Sequence, residues 1–443
     1  MKISQKNLDD LNATIALTIE KADYEPRVKK NLNDYRRKAE IKGFRPGMAP
    51  MSIVEKMHGK AALFDEVQNI VSESLNKHIE ENKLHLLGEP LPNETEHKPI
   101  DWNAPDELDF KFDIGIAPKI DVKFTNVDKV PYYKITITDE DRNKYKDNVL
   151  RQYGNLVDAE TAEADDFIKA TLTQGERVIE NSYISLKTIE DAARKKPFIG
   201  AKVGDALEVD VKATFTNDTD LAAMLNAKKE ELVNFEPVFT VLITEVKRFK
   251  QAELNQDLYD RIFGENVVTS EAEFNQKADA RIAGEYEQES EYRFMLDARN
   301  EALKKAQLPL PDDFLKRWLL YANEGKITTE QVDKDFAAFA DDLRWQMIRG
   351  YITKEQALQV TDDDMRDHAR KMARYQFSMY GLHNAPDEQI NHYAESILNN
   401  EQELKRIYEK VEEDKVVAYI RSVVTLDEKA TTLDELHKLY EQK

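Results

Sequence analysis

The residues best suited to binding chemistry lie in one short segment near the amino terminus, residues 43–50, with the sequence Gly-Phe-Arg-Pro-Gly-Met-Ala-Pro. Two glycines and two prolines surround an aromatic ring and a guanidinium group, a composition typical of a stiff, exposed loop. Arg45 can hold a phosphate or a carboxylate in its planar fork, while Phe44 can enter a shallow apolar pocket. The segment therefore suits a surface that offers both RNA and protein.

This loop follows a strongly basic stretch in an acidic chain. The sequence has 64 Lys and Arg against 85 Asp and Glu, a formal net charge of −21, which disfavours binding to DNA over a broad face. Residues 27–45 contain only two acids and eight basic residues, which are Arg27, Lys29, Lys30, Arg36, Arg37, Lys38, Lys42 and Arg45. The local excess predicts a confined contact with RNA, and the ribosome is a surface of this mixed kind. The alternative is that Phe44 packs beneath its own loop and the lysines form a solvated face.

The pattern Gly-Phe-Arg-x-Gly-x-x-Pro after a basic amphipathic helix is similar to the ribosome-docking signature of trigger factors, with Pro46 at the variable position. The resemblance continues from Gly88 to Lys123, which looks like the close of the family's amino-terminal domain. It reappears in Phe263-Gly264, Leu308–Pro311 and Thr432–Leu436. The resemblance implies that the ribosome-contacting residues are Gly43, Phe44, Arg45, Pro46, Gly47 and Pro50, together with Arg36, Arg37, Lys38 and Lys42.

The resemblance implies a multidomain fold, partly α+β and partly all-α. We expect an α+β ribosome-binding domain, a small FKBP-like antiparallel β domain and an elongated helical carboxy-terminal domain with arms. The expected ranges are 1–118 for the docking domain, 119–157 for a linker and connector helix, 158–248 for the FKBP-like domain and 249–443 for the helical domain.

Hydrophobic periodicity predicts the elements of these domains. Alternating apolar residues predict strands at 13–19 and 108–114 that share a sheet, and Pro26 predicts a helix start. Thr138 and Asp141 form a candidate capping box for a connector helix. Four more strands are predicted at 166–172, 182–189, 207–215 and 238–246. The remainder should be all α, with helices at 251–263, 270–306, 311–323, 330–349, 354–359, 362–380, 386–399 and 401–424.

The expected FKBP-like domain raises the question of prolyl isomerase activity. Residues 198–205 resemble the central segment of that domain, but the family's Pro-Gly-Phe-Glu lead and its downstream Phe-Pro and Tyr have no counterpart. Isomerisation needs a dry aromatic pocket to lower a barrier of about 18–20 kcal/mol. Phe198, Phe215 and Phe235 are candidate pocket remnants that equally suit a core. We expect weak or absent activity and predict no catalytic residue.

Other chemistry has little support in the sequence. There is no cysteine, no His-Glu-x-x-His motif and no phosphate-binding glycine loop, so no cofactor and no metal are expected. The acidic run Asp362–Asp364 follows Thr361, which favours a helix cap over a metal site. No apolar run reaches the roughly 18 residues of a membrane span, and no secretory signal is visible, so we expect a cytoplasmic protein.

The leading hypothesis is a ribosome-associated chaperone that holds nascent and unfolded polypeptides through dispersed apolar contacts. Methionines of the helical half suit adaptable contacts, although each one alone also suits a core. Two alternatives remain, a prolyl isomerase that acts as a folding catalyst and a helical scaffold for one dedicated partner. The resemblance also implies weak self-association as a homodimer.

Overall fold

A computed structural model of the chain describes residues 1–42, 44–45, 47–93, 102, 106–382 and 385–441. The chain forms two compact units, and each unit is built from two separate segments. One unit combines Met1–Tyr132 with Arg293–Asp427, and the other combines Tyr133–Tyr292 with Glu428–Lys443. The sequence-based domain ranges therefore stay predictions, because each compact unit combines segments that are distant along the chain.

The amino-terminal part of the first unit is built on a four-stranded antiparallel sheet. Its strands are β1 (Lys2–Asn7), β2 (Asn12–Glu20), β3 (Leu91–Pro92) and β4 (Glu107–Gly115), in the order β1-β2-β4-β3. Strands β2 and β4 pair along their full length, from Asn12 opposite Gly115 to Glu20 opposite Glu107. Every second side chain of β2 is buried, as the alternation requires. The predicted pairing of these two strands is confirmed.

Two helices, α1 (Lys21–Lys38) and α2 (Met51–Glu81), separate β2 from β3 in the chain. The prediction that a helix starts at Pro26 is wrong, since α1 begins five residues earlier. The carboxylate of Asp23 accepts the backbone N–H of Glu20 at 2.9 Å, which completes a capping box at that point. Helix α1 therefore contains Pro26 in its second turn.

The second unit begins within β5 (Lys129–Ile135), which leads to α3 (Asp139–Gln152). Thr138 accepts the N–H of Asp141 at 3.2 Å, and Asp141 accepts the N–H of Thr138 at 2.8 Å, so the predicted capping box is confirmed. The apolar face of α3 packs with Leu258 and Phe274 of later helices. This helix connects β5 to the next sheet.

The second α+β region contains a five-stranded antiparallel sheet, in which β9 and β6 both pair with β10. Its strands are β6 (Asn155–Asp158), β7 (Phe167–Gln174), β8 (Arg177–Ser185), β9 (Ala206–Asp210) and β10 (Val238–Lys250). Its short helices are α4 (Ala192–Lys195), α5 (Val211–Thr214) and α6 (Asp218–Met224), with 3-10 turns at Leu186–Thr188, Lys196–Phe198 and Lys229–Asn234.

Two predicted strands of this region are too long. The strand predicted at 207–215 ends at Asp210, because the Asp210 carboxylate accepts the N–H of Ala213 at 3.0 Å and starts a helical turn. The strand predicted at 182–189 ends at Ser185, where a 3-10 turn follows. The chain thus leaves the sheet earlier than its apolar pattern indicates.

The remaining chain is mainly helical, as predicted. Its elements are α7 (Gln256–Phe263), α8 (Glu271–Ala306), α9 (Asp312–Ala322), α10 (Thr329–Glu355), α11 (Asp362–Met379), α12 (Asp387–Leu398), α13 (Glu401–Val423), β11 (Thr425–Thr431) and α14 (Leu433–Glu441). The separate helix predicted at 354–359 is wrong, since α10 continues to Glu355. The predicted helical domain is confirmed, although it also contains the strand β11, which pairs with β5. That pairing joins residues about 300 positions apart, so no local pattern reveals it.

Candidate functional site

The candidate loop connects α1 to α2 and is anchored by its own small core. Ile41 and Ala49, near the two ends of the loop, are buried together with Leu32, Val54 and Ala62. Tyr35 of α1 lies against His58 of α2, with ring centroids 3.8 Å apart. These contacts hold both ends of the loop on the helix pair.

Backbone hydrogen bonds fix the shape of the loop between these anchors. The N–H of Gly47 donates to the carbonyl of Arg36 at 3.1 Å, the N–H of Phe44 to Ile41 at 2.9 Å and the N–H of Met48 to Arg45 at 2.9 Å. Gly47 has a φ of +82°, a left-handed conformation that favours glycine. Gly47 thus suits the turn that these backbone bonds describe.

The turn leaves its apolar side chains exposed. Phe44 is 39% exposed and Met48 is 73% exposed, and Arg45 and Pro50 also face solvent. Phe44 is therefore only partly covered and is not a buried residue of its own loop. Gly43 and Pro46, which we also predicted to contact the ribosome, lie outside the described residues.

The basic residues near the loop differ in how they are neutralised. Arg27 is held by Glu73 at 2.8 and 3.1 Å, Lys29 by Glu25 at 3.0 Å, and Arg37 approaches Asp34 at 3.8 Å. Within the described residues, no ion pair reaches the five other basic side chains, Lys30, Arg36, Lys38, Lys42 and Arg45. Arg36, Arg37 and Lys38 close the last turn of α1, where positive charge suits the helix dipole. Five basic side chains without an ion pair in the described part of the chain therefore lie along residues 30–45, the stretch that also contains Phe44.

The aromatic residues proposed as isomerase remnants lie in the core of the second α+β region. Phe198 is fully buried and Phe215 is buried, and both pack in one cluster with Leu221 and Met224. Phe235 is half-buried, with the Arg177 guanidinium 4.1 Å above its ring and the Phe239 ring 6.3 Å away. The three phenylalanines therefore belong to one core, in which Phe198 and Phe215 are buried and Phe235 is partly exposed.

A second apolar surface, on α11, was not assigned from the sequence. Met372, Tyr375 and Met379 follow one another at helical spacing and are exposed, and Tyr380 and Leu382, which come after the helix end, are exposed as well. The spacing is visible in the sequence, but the same spacing also describes a buried face. We call these five residues the α11 stripe.

The acidic run that precedes this stripe is a helix cap, as predicted. Thr361 accepts the N–H of Asp364 at 3.2 Å, and Asp364 accepts the N–H of Thr361 at 2.8 Å. Hydrogen bonding from Lys415, at 2.8 Å, and from Thr361 holds the pKa of Asp364 well below its usual range. Asp364 therefore already has partners that explain its position.

Comparison with known proteins adds to this geometry. Family models match residues 1–149 as bacterial trigger factor protein, 156–251 as the FKBP-like domain of a probable trigger factor and 290–440 as its carboxy-terminal domain. These three matches cover most of the chain in the family's domain order. The chain belongs to the trigger factor family. It is therefore a molecular chaperone whose amino-terminal domain is of the ribosome-binding kind.

Relatives along the full length agree with this assignment. The chain is 25% identical to a trigger factor of Chlorobaculum parvum, over 97% of this chain and 99% of the relative. It is 24% identical to one of Rickettsia rickettsii, over 98% and 96%. A solved trigger factor chaperone structure, described in terms of promiscuous substrate recognition in folding and assembly, aligns with a TM-score of 0.55 at 13% identity, over 96% of this chain and all of that one. That likeness supports the shared fold.

In the portion of the chain that the structure describes, no helix combines the length and apolar character needed to cross a bilayer.

Proposed function

We propose that this chaperone docks on the ribosome through the turn formed by Phe44 and Arg45. The observation that carries the proposal is an exposed phenylalanine held on a rigid loop, since an exposed aromatic ring has a cost in water that a partner pocket removes. Gly47, with its left-handed conformation, and Pro50 belong to the described part of this loop. Gly43 and Pro46 are included in the proposed contact from the sequence alone. Arg36, Arg37, Lys38 and Lys42 contribute positive charge.

The charge distribution favours a ribosomal partner over free nucleic acid. The molecule carries a net charge of −21, so its long-range field opposes phosphate. The unpaired basic side chains around Phe44 act at short range, where a guanidinium can hold a phosphate or a carboxylate directly. We therefore assign RNA and protein at the nascent-chain exit as the partner and propose no DNA binding.

The α11 stripe supports the holding of clients. Its methionines and tyrosines adapt to varied apolar segments, because methionine is flexible and tyrosine has a polar end. Each contact is weak, so release needs no energy source. We propose that nascent and unfolded chains bind here and at similar dispersed positions, in the cytoplasm, with a weak homodimer in which the docking face is partly covered.

An isomerase function receives less support. Phe198 and Phe215 are already packed against apolar side chains of α6, so they offer a client proline little aromatic surface. We propose weak or absent catalysis of X-Pro isomerisation. A peptide assay checks this: suppression of aggregation without faster isomerisation is expected, and a clear acceleration would favour the folding-catalyst alternative.

Ribosome co-sedimentation tests the docking proposal. The intact chain should pellet with 70S ribosomes at low salt, and Phe44→Ala combined with Arg45→Ala should leave the protein in the supernatant. A matched control is Tyr183→Ala combined with Lys187→Ala, which removes an exposed aromatic and an exposed base from the FKBP-like region. If both double variants behave like the intact chain, the docking assignment fails and the dedicated-scaffold alternative takes precedence.

A further inference from the structure

Beside the docking loop, α1 and α2 enclose an apolar groove of about 410 Å³. Its walls are formed by Tyr24, Val28, Leu32, Gly59, Leu63 and Trp102. The ring of Trp102 lies 5.2 Å from that of Phe64, which is itself exposed. The groove is thus an open cleft between two helices, lined by apolar side chains and by five charged ones.

Gly59 has no packing reason to be glycine. A Cβ built at this position would meet only the Cβ of Glu55, at 4.0 Å, which is ordinary contact. A glycine inside a helix is less stable there than alanine, because it restricts more backbone freedom on folding. The missing side chain leaves space in the groove that Gly59 lines, and this accounts for a residue that folding alone disfavours.

The rim of the groove carries both signs of charge. Lys21, Lys29 and Lys60 lie beside Glu25 and Glu55, and Lys29 is paired with Glu25 at 3.0 Å. Lys21 and Lys60 have no ion pair among the residues that the structure describes. Glutamates at the rim repel phosphate, and the apolar walls offer RNA no hydrogen bond, so the occupant is protein.

The groove is continuous with the docking loop. Leu32 lines the groove and also belongs to the core that buries Ile41 and Ala49 at the ends of the loop. About 9 Å of helix separates Leu32 from Lys38 at the end of α1. A partner that touches Phe44 therefore extends readily over the groove.

We propose that this groove receives an apolar side chain of a ribosomal protein, with an adjacent acidic residue paired to Lys21 or Lys60. This second anchor rests on the proposed docking function. It makes Gly59 a determinant of ribosome affinity, although Gly59 lies outside the signature loop.

Filling the groove tests the proposal on the full chain. Gly59→Leu places a side chain where the partner's would lie and improves helix propensity, so it should fold and raise the Kd for 70S ribosomes about tenfold. The matched control is Gly284→Leu, an exposed glycine of α8 with open space around it, which should leave the Kd unchanged. Phe44→Ala with Arg45→Ala is measured alongside and should abolish binding.

The outcomes separate the two proposals. If Gly59→Leu binds ribosomes as tightly as the intact chain while the Phe44 and Arg45 double variant no longer binds them, the groove proposal is overturned and the docking proposal stands. If the loop variant binds normally, docking and the groove proposal fail together. Equal losses for Gly59→Leu and Gly284→Leu would also overturn the groove proposal.

Crosslinking identifies the occupant directly. The chain has no cysteine, so Lys56→Cys, one turn from Gly59 and outside the groove lining, can carry a single photo-crosslinker. On ribosomes it should capture a ribosomal protein, and the added Gly59→Leu substitution should reduce that product. Capture of RNA, a nascent chain or a second copy instead, or no product, would overturn the assignment.

Discussion

At the scale of single residues, exposed side chains depend on neighbours that are buried. Phe44 stays accessible because Ile41 and Ala49 are fixed beneath the loop and because backbone bonds close the turn. In the FKBP-like region, a partly exposed charged side chain likewise depends on a buried neighbour. There Arg248 holds the buried carboxylate of Asp166 at 2.8 and 2.9 Å and also reaches Glu163 at 2.7 Å.

Asp166→Asn should destabilise the FKBP-like region by about 2 kcal/mol, because the buried side chain loses the charge that strengthens its hydrogen bonds from Arg248, while Arg248 keeps its ion pair with Glu163. Urea unfolding followed by a local fluorescent probe measures this change. Asp158→Asn is the control, since Asp158 pairs with the adjacent Lys247 but is exposed, and its loss should cost less than about 1 kcal/mol. Equal effects would contradict the role of burial.

The pair of Asp166 and Arg248 also predicts that the stability of the FKBP-like region depends on pH in the acid range. Burial opposes ionisation of Asp166, but hydrogen bonds from Arg248 and from the N–H of Glu163 outweigh it and lower the pKa of Asp166. The group binds its proton less readily in the folded state than in the unfolded state. Its stabilisation is therefore present above about pH 4 and is lost as the pH falls through the folded-state pKa. Stability curves between pH 2 and 6 should be flatter for Asp166→Asn than for the intact chain.

At the scale of elements, the amino-terminal sheet packs on α9 with unusually small separation. A Cβ at Gly115 of β4 would lie 2.5 Å from the Phe314 ring, and one at Gly88 would lie 2.9 Å from Trp318. Arg317 of the same helix donates to Asp113 at 3.1 Å. The docking domain is thereby fixed to the helical part of its own unit.

Gly115→Ala should lower the free energy of unfolding by about 2 kcal/mol, because the added methyl must displace the Phe314 ring. Chemical denaturation of the full chain, followed by tryptophan fluorescence, measures it. The control Gly350→Ala adds the same methyl to α10, where nothing lies within 4 Å, and should be neutral or slightly stabilising. A neutral Gly115→Ala would mean that the sheet and α9 move apart readily.

The α11 stripe carries the prediction about clients. Tyr375→Ser with Met379→Ser should raise the Kd for an unfolded client about tenfold, because two exposed apolar contacts are removed. Ribosome co-sedimentation should stay unchanged. Val203→Ser with Val233→Ser removes comparable exposed apolar groups from the FKBP-like region and serves as the control. Unchanged suppression of aggregation in the Tyr375 and Met379 variant would exclude the stripe as a client surface.

At the scale of the whole molecule, the net charge and the local charge act in opposite directions. The net charge of −21 repels nucleic acid at a distance, while the proposed docking requires the unpaired basic side chains of residues 30–45 to hold phosphate at contact. The affinity for ribosomes should then decrease as the salt concentration rises, and the size of this decrease should reflect the number of phosphates that the basic side chains contact.

The slope of log Kobs against log[salt] measures how many phosphates are contacted. Lys42→Gln should weaken ribosome binding and reduce the magnitude of the slope of log Kobs against log[salt] by about 1. Lys119→Gln, which removes another exposed lysine of the amino-terminal region, should change neither quantity. A slope that Lys42→Gln leaves intact would place the RNA contact elsewhere.

The sequence by itself determined those features that depend on short-range chemistry. The pairing partners β2 and β4 are visible in their alternation, the caps at Thr138 and Thr361 in their residue types, and the docking loop in its glycines, prolines and local charge. The resemblance to trigger factors rested on the same local motifs. These features need only neighbours within a few positions.

Only the tertiary structure decided features that depend on distant partners. Strand β11 forms because β5 offers its backbone, although β11 has no buried face of its own. Phe198 and Phe215 became core residues because they join the buried cluster of the FKBP-like region, whereas the α11 stripe stayed exposed. An apolar side chain has the same pattern in either situation, and the elements that cover it determine whether it stabilises the fold or meets a partner.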